Sequence, residues 1–351
     1  MENIRESVII EVKDLSIDFK VEKGILRACD HTSFDIYRNE TIAIIGESGS
    51  GKSTLCSGIL NMVNVPGKVS SGSVTYYSEY QHASMDILKM KPQQETEFRW
   101  KEISTVFQAA QNALNPVLKI KEHFYETILA HTSNTKQEEM DEKIKKVLGY
   151  VRLDTAVMEY YPHQLSGGMK QRVLIALSLV LDPKVIILDE PTTALDVVTQ
   201  YYILQLLSNI QKGFKITMVF LTHDIAVVSN IADRIAVMYG GEIVEYGRTE
   251  DVLGNPAHPY TRGLVDAIPT LHDDVTQRKA IHGTPPDLTK QFDSCKFKDR
   301  CPVYQAGKCE ADYNKTRKMY KVGEGKYTRC YTWAEMIEEK GGDCDGHSDR
   351  K

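Results

Sequence analysis

Residues 46–54 read Gly-Glu-Ser-Gly-Ser-Gly-Lys-Ser-Thr, and they directly follow the apolar run Thr41-Ile42-Ala43-Ile44-Ile45. Glycines allow backbone conformations that other residues avoid, so successive N–H groups can turn inward around a polyphosphate. The helix expected to begin near Lys52 directs the positive end of its dipole at the same anion. Lys52 can reach the outer phosphates, and the Ser53 hydroxyl can ligate Mg²⁺. The pattern therefore predicts a phosphate-binding loop.

The strand, the glycines, the lysine and the hydroxyl follow one another in the order that is typical of a phosphate-binding loop. The simpler interpretation is a glycine-rich turn that holds no ligand. The residues predicted to contact a nucleotide phosphate are Gly46, Glu47, Ser48, Gly49, Ser50, Gly51, Lys52, Ser53 and Thr54.

The overall composition is that of an ordinary globular protein. The chain has 351 residues, of which 26% are charged and 42% hydrophobic, and its length allows two domains. A formal net charge of −5 argues against a dedicated nucleic-acid binder. The longest apolar stretches, 173–181 and 185–188, fall short of the ~20 residues that span a bilayer, and the first residues do not resemble a signal peptide. We expect a cytosolic protein that reaches a membrane only through a partner.

A second apolar run, Val185–Leu188, ends in two acidic residues. Continuous apolar runs are typical of buried parallel strands, and open α/β sheets bind ligands where such strands end. Asp189 is expected to support Mg²⁺, and Glu190 to orient or deprotonate the water that attacks a γ-phosphate. The alternative is a strand that simply ends in a polar loop.

Two further apolar runs end in single polar residues. His223 follows a strand-like run and could contact the γ-phosphate and hold the water, although a lone histidine is usually a surface or core residue. Gln108 closes the run Ile103–Phe107 and could complete the shell of the Mg²⁺ ion or the water. Most glutamines in such positions are simply solvated.

Along the chain, residues 8–45 have the β-branched and alternating side chains of strands. Strands and helices then alternate, which predicts an α/β fold with a largely parallel sheet. Residues 109–170 are more helical in pattern, and the polar stretch 131–141 predicts an exposed connection. Prolines become frequent past residue 254 and cysteines follow from Cys295, which predicts a domain boundary near 254–290.

The segment Leu165-Ser166-Gly167-Gly168-Met169-Lys170-Gln171-Arg172 resembles the signature of the ATP-binding-cassette family. The order of motifs over residues 8–250 is also similar to that family. The resemblance implies that Ser166, Gly167 and Gly168 cap the ATP held by a second subunit, in a head-to-tail dimer with two ATP molecules between the protomers. It further implies that Asp196 lies in the dimer-contact loop and that Phe19 stacks on adenine.

The resemblance also implies a domain organisation. Residues 1–254 would form a P-loop nucleotide-binding domain with a parallel sheet, an antiparallel β subdomain and a helical subdomain at about 109–170. Residues 255–340 would form a small, irregular, cysteine-rich domain, and residues 341–351 a loose tail.

Five of the seven cysteines lie in the last sixty residues, and in a cytosolic protein such a cluster indicates a metal or iron–sulfur site rather than disulfides. The segments 255–261, 283–288 and 295–302 resemble the C-terminal extension of oligopeptide and dipeptide importer ATPases. That resemblance implies a four-iron, four-sulfur cluster, with Zn²⁺ or four reduced thiols as alternatives. The implied ligands are Cys295, Cys301, Cys309 and Cys330; Cys344 is taken as a bystander.

The predicted function is ATP hydrolysis that drives a peptide importer, with nickel or other metal chelates as alternative cargo. The resemblance implies a paralogous ATPase subunit, two transmembrane permease subunits and an extracytoplasmic substrate-binding protein as partners, and no nucleic acid. It places the chain peripherally on the cytoplasmic face of the cell membrane. A soluble cassette ATPase outside transport and an iron–sulfur redox module with a vestigial nucleotide fold are the other hypotheses.

Overall fold

The computed structural model describes residues 7–78, 84–108, 113–132, 135–193, 195–268, 281–305, 309 and 317–338. The predicted tail at 341–351 and Cys344 lie outside this range. The chain divides into two compact units. The first comprises Met1–Ile36, Ile42–Leu88 and Thr222–Lys351, and the second comprises Tyr37–Thr41 and Lys89–Leu221.

The strands are numbered in chain order. They are β1 Val8–Val21, β2 Gly24–Tyr37, β3 Thr41–Ile45, β4 Gly67–Tyr77, β5 Ser84–Asp86, β6 Ile103–Val106, β7 Val185–Asp189, β8 Thr217–Thr222, β9 Arg234–Tyr239, β10 Glu242–Arg248, β11 Tyr320–Gly323 and β12 Lys326–Thr328.

The α-helices are numbered in the same way. They are α1 Lys52–Ile59, α2 Pro92–Phe98, α3 Ile120–His131, α4 Gln137–Tyr150, α5 Gly167–Leu179, α6 Val197–Phe214, α7 Ile225–Val228, α8 Thr249–Gly254, α9 Pro259–Asp266 and α10 Tyr331–Glu338.

The first unit contains an antiparallel sheet with the strand order β2-β1-β4-β5. It also contains the strands β11-β12-β10-β9-β3, in which β3 and β9 are parallel and the other pairs antiparallel. All five residues of β3 are buried, as expected for the apolar run before the phosphate-binding loop. This unit therefore holds the predicted loop at the carboxyl end of the buried strand β3.

The C-terminal part of the first unit packs into the same core as the strand that leads to this loop. Tyr260 and Phe297 are buried in a cluster with Ile45 of β3 and Val237 of β9. The strand β12 adds to the sheet by pairing with β10, with Glu245 opposite Thr328. The position of the predicted domain boundary near 254 stays a prediction.

The second unit contains the parallel strands β6, β7 and β8, in the order β8-β7-β6. The predicted strand Val185–Leu188 is buried throughout, and the predicted α/β fold is confirmed. Helices α3 and α4 fall in the region predicted to be helical, and α5 begins at its end and continues to Leu179. The stretch predicted as an exposed connection is partly wrong, because α4 already begins at Gln137, where Glu138 and Glu139 favour the helix N-terminus.

Candidate functional site

The phosphate-binding loop has the backbone that its glycines predict. Gly51 precedes α1 with a φ of 105°, and a Cβ atom on it would lie 2.4 Å from the carbonyl oxygen of Ala28. A Cβ atom on Gly46 would lie 2.2 Å from the carbonyl oxygen of Met238. Any side chain at either position would therefore displace the loop from the strands that support it.

Lys52 is buried at the start of α1 and points back along the loop. Its Nζ donates to the carbonyl oxygens of Gly46 at 2.7 Å and Glu47 at 3.0 Å. Ser48 and Gly49 are exposed at the tip, and the side chain of Ser53 is exposed one residue into the helix. That the Lys52 ammonium and the Ser53 hydroxyl bind a triphosphate and its Mg²⁺ ion stays a prediction.

Phe19 is half-buried on β1, and its ring packs on Gly67, where an added Cβ atom would lie 2.5 Å from it. The side chain is accessible enough to stack on a base, but it also fills space beside Gly67. Its contact with adenine stays a prediction.

In the second unit, the structure brings Gln108 to Glu190. The Gln108 amide Nε2 donates to Glu190 Oε2 at 3.0 Å, and the Thr193 hydroxyl donates to the same oxygen at 3.0 Å. Because the nitrogen of Gln108 faces Glu190, its amide oxygen is the atom that could ligate Mg²⁺. Sequence reasoning missed Thr193, although its position three residues after the acid was a local signal.

Glu190 lies where the backbone leaves β7. Its φ of 49° is in the left-handed region, which side-chain-bearing residues adopt rarely and mostly at functional turns. Asp189, at the end of β7, is buried. His223 belongs to the first unit, where it is exposed directly after β8.

The segment Ser166–Gly168 begins α5. Ser166 caps this helix, because its hydroxyl accepts a hydrogen bond from the Met169 N–H at 3.3 Å. Asp196 caps α6 in the same way, accepting from the Thr199 N–H at 2.9 Å and the Thr199 hydroxyl at 2.6 Å. These bonds hold the pKa of Asp196 below its ordinary value. The two caps are neighbours, since Gly168 packs against the Thr199 methyl group.

Known protein families match two segments of this chain, and a known relative matches most of it. The family described as "ABC transporter" matches residues 29–193, and the family described as "Oligopeptide/dipeptide transporter, C-terminal region" matches residues 244–309. The dipeptide transport ATP-binding protein DppD of Caldanaerobacter subterraneus subsp. tengcongensis is 48% identical over 296 residues, which is 84% of this chain and 89% of that protein. The chain belongs to the ATP-binding-cassette ATPases of the oligopeptide and dipeptide transporter type.

Other matches support the same family. The oligopeptide transport ATP-binding protein OppD of Bacillus subtilis is 36% identical over 331 residues, which is 93% of this chain and 90% of that protein. The dimeric structure of the bacterial ABC transporter cassette MJ0796 is 30% identical, covers 69% of this chain and 99% of that cassette, and has a TM-score of 0.60. The cassette described here is an ATPase, and the predicted family and fold are confirmed.

The four cysteines near the C-terminus of this cassette line one small cavity of about 30 Å³, together with Phe297 and Tyr331. None forms a disulfide. Burial raises the pKa of the Cys295 thiol to about 12 and that of the Cys330 thiol to about 11, and it also raises the pKa of Cys301. These thiols would stay protonated at neutral pH unless a metal stabilised the thiolates. The cysteines concerned are Cys295, Cys301, Cys309 and Cys330.

The four-iron cluster predicted for this cavity is not shown. Within the described residues, no three or more His, Cys, Asp or Glu side chains are placed to hold a metal ion. The zinc alternative, which needs four ligands around one ion, gains no support from this arrangement. Across all the residues that the structure describes, no helix is long and apolar enough to cross a membrane.

Proposed function

We propose that this cassette hydrolyses ATP to drive an importer for oligopeptides or dipeptides. The observation that supports this cargo is the match of residues 244–309 to the C-terminal region of oligopeptide and dipeptide transporters. The chain would work at the cytoplasmic face of the membrane with a paralogous ATPase subunit, two permease subunits and an extracytoplasmic substrate-binding protein.

In this proposal the chemistry divides among a few side chains. Lys52 neutralises charge on the outer phosphates, and His223 holds the γ-phosphate. Glu190 takes the proton of the attacking water, while the hydrogen bond from Gln108 fixes the carboxylate that does so. The proposed Mg²⁺ ligands are Ser53, Gln108 and Asp189, because Mg²⁺ prefers hydroxyl, amide and carboxylate oxygens. When bound, Mg²⁺ would withdraw charge from the phosphates.

ATP would be shared between two cassettes, with Ser166, Gly167 and Gly168 of one protomer facing the phosphate-binding loop of the other. An exposed apolar patch at the start of α6 supports such a dimer, because it directly follows Asp196. The exposed fractions are 80% for Val197, 64% for Val198, 59% for Tyr201 and 62% for Tyr202. We define these four residues as the α6 patch. Exposed apolar groups of this kind mark contact surfaces.

Contact with the permeases would be made by two further exposed apolar residues of the second unit, Phe107 and Val117. Phe107 is 47% exposed beside Gln108, and Val117 is 74% exposed before α3. A permease that docks here would sense Gln108 directly, since this residue follows Phe107 in the chain. Opening and closing of the ATP dimer would in this way be transmitted to the membrane subunits.

Transport measured in vesicles tests the cargo. The importer, purified with its permeases and partner ATPase, is reconstituted with its binding protein, and uptake of a labelled dipeptide is compared with uptake of a labelled nickel chelate. We expect uptake of the dipeptide that requires ATP and disappears in the Glu190→Gln variant. Uptake of the nickel chelate alone would reject the peptide assignment.

The four cysteines would hold a four-iron, four-sulfur cluster. They line one cavity but are not placed around a single ion, and four thiolates are the ligand set of such a cluster. Anaerobically purified protein should be brown and contain about four irons per chain. Cys301→Ser should lose the colour and most of the iron, whereas Cys56→Ser, at a buried cysteine in α1, should keep both. Colourless, iron-free wild-type protein would rule the cluster out.

A further inference from the structure

The C-terminal extension holds one residue of the phosphate-binding loop directly. The guanidinium of Arg300 donates two parallel hydrogen bonds to the carboxylate of Glu47, from NH1 to Oε2 at 2.9 Å and from NH2 to Oε1 at 2.9 Å. The hydroxyl of Tyr260 accepts a hydrogen bond from the Glu47 N–H at 3.0 Å. All three residues belong to the first unit. A residue 253 positions away in sequence thus fixes the second residue of the loop.

Arg300 is itself tightly held. Its Nε donates to the His282 carbonyl oxygen at 2.9 Å, and its guanidinium lies 5.6 Å from the centre of the Tyr239 ring. Only 5% of the side chain is exposed, and the bonds to Glu47 raise the pKa of Arg300 above its already high ordinary value. A rigid, permanently charged fork of this kind restrains its partner in both distance and orientation.

The contact matters because of what Lys52 must do. Its Nζ bonds the carbonyl oxygens of Gly46 and Glu47, and a phosphate that binds Lys52 would compete with them for the ammonium. Arg300 and Tyr260 hold residue 47 independently of the lysine, and the Ser50 N–H adds a hydrogen bond within the loop by donating to the Glu47 carbonyl oxygen at 3.2 Å. Arg300 also neutralises the Glu47 carboxylate, whose negative charge would otherwise repel the triphosphate a few residues further along the loop.

We propose that Arg300 is a positioning residue for ATP binding, which acts through Glu47 on the phosphate-binding loop. Tyr260 supports it by fixing the backbone of the same residue. The C-terminal extension therefore contributes to nucleotide affinity as well as to the cysteine cavity. This inference rests only on the ATP binding that the family shares, so failure of the peptide assignment would leave it intact.

The test is the affinity of the purified full-length chain for a fluorescent ATP analogue, together with the KM for ATP of the reconstituted complex. We expect R300A to raise the Kd for the analogue and the KM for ATP by about tenfold or more, with a smaller change in kcat, because misplacement of binding groups carries a penalty of this size. R300K, which keeps the charge but loses the fork, should give a smaller increase.

Removing the Glu47 carboxylate should restore part of the ATP affinity that R300A loses. E47A deletes both the tether and the repulsive charge, so E47A/R300A should bind ATP better than R300A alone and no worse than E47A. R262A is the matched control, since Arg262 is an exposed arginine in the same extension whose NH2 group bonds the Pro256 carbonyl oxygen. Its ATP affinity should equal that of the wild type.

Thermal unfolding of the same proteins separates positioning from a purely structural role. If R300A lowers the Tm but leaves the ATP affinity and KM within twofold of wild type, the proposal is wrong. The same holds if the E47A and R300A effects on affinity simply add. If R300A does not fold, R300K and E47Q replace it in the experiment, because both retain hydrogen-bonding groups of similar size. Unchanged ATP affinity in both of these variants would also overturn the proposal.

Discussion

Glu190, the proposed base, is held in place by its neighbours. It follows the buried strand β7, its backbone is left-handed, and its side chain accepts hydrogen bonds from Gln108 and Thr193. Those bonds leave the carboxylate oriented before any water arrives. A base held in this way loses less entropy on reaction than one that must first be ordered.

Replacing this carboxylate should separate binding from hydrolysis. Glu190→Gln keeps the size and one acceptor oxygen but removes the basic group, so ATP hydrolysis should fall by about 10²-fold or more while ATP binding stays near wild type. Steady-state phosphate release and nucleotide titration measure the two effects.

The control for this prediction is Glu142→Gln, which changes a solvent-exposed acid on α4 in the same unit. It should alter neither measurement. Wild-type-like hydrolysis by Glu190→Gln would remove Glu190 from its proposed role.

At the scale of elements, buried ion pairs attach the C-terminal extension to the strands of the first unit. Lys296 Nζ bonds Asp30 of β2 at 2.9 Å, with both side chains almost fully buried. Glu245 of β10 accepts hydrogen bonds from the N–H groups of Ala257 and His258, both at 2.8 Å. Lys296 and Asp30 are 266 positions apart in sequence, so their bond stabilises the extension only once the sheet has formed.

Asp30→Asn should weaken this attachment. It leaves the Lys296 ammonium without its main counter-charge, although Glu242 lies 3.5 Å away, so we expect a loss of about 1–3 kcal/mol in the free energy of unfolding. Urea unfolding at pH 7 measures the loss. Asp293→Asn, at an exposed acid of the same extension, is the control and should be neutral; equal stabilities for Asp30→Asn and wild type would contradict the prediction.

The same ion pair predicts a pH dependence. Burial raises the pKa of Asp30, but Lys296, Arg317 and Arg27 outweigh burial and hold it below the ordinary value of 3.8. A carboxyl group with a lowered folded pKa stabilises the protein fully above its unfolded pKa, and this contribution is lost as the pH falls through the folded pKa. The stability difference between wild type and Asp30→Asn should therefore be constant from pH 7 to pH 5 and shrink below pH 4. A difference that grows on acidification would contradict the assignment.

At the scale of the whole molecule, one chain carries only half of each proposed ATP site. In the proposed dimer, the phosphate-binding loop and the segment Ser166–Gly168 would each meet their counterpart on another protomer. The α6 patch beside Asp196 is the surface that would bring two cassettes together, since its four side chains are all more than half exposed.

Placing a charge in this patch should prevent ATP-dependent dimerisation. Tyr202→Glu buries a carboxylate at the proposed interface, and a residue of this type near the centre of a contact can account for a tenfold or larger loss of affinity, about 1.4 kcal/mol or more. The experiment is light scattering after chromatography with ATP and the partner ATPase, in the Glu190→Gln background. Leu129→Glu, at an exposed leucine of α3, is the control. Unimpaired dimerisation of Tyr202→Glu would exclude this surface.

The local motifs could be predicted from the sequence, because each works within a few consecutive residues. Turns and helix starts are specified by a few consecutive residues in the loop at 46–54, in the signature at 165–172 and in the acids after Val185–Leu188. The α/β fold followed from the same strands and helices. The start of α4 was misjudged because its first turn is polar and lacks the apolar periodicity of its second half.

Only the tertiary structure decided which residues far apart in the chain contact each other. Nothing near Glu47 in sequence indicates that Arg300 will neutralise it, and the spacing of four cysteines does not say that they line one cavity. The physical reason is that such contacts form only after buried strands and helices have fixed where distant segments meet, and their energy depends on burial that no short stretch of sequence can specify.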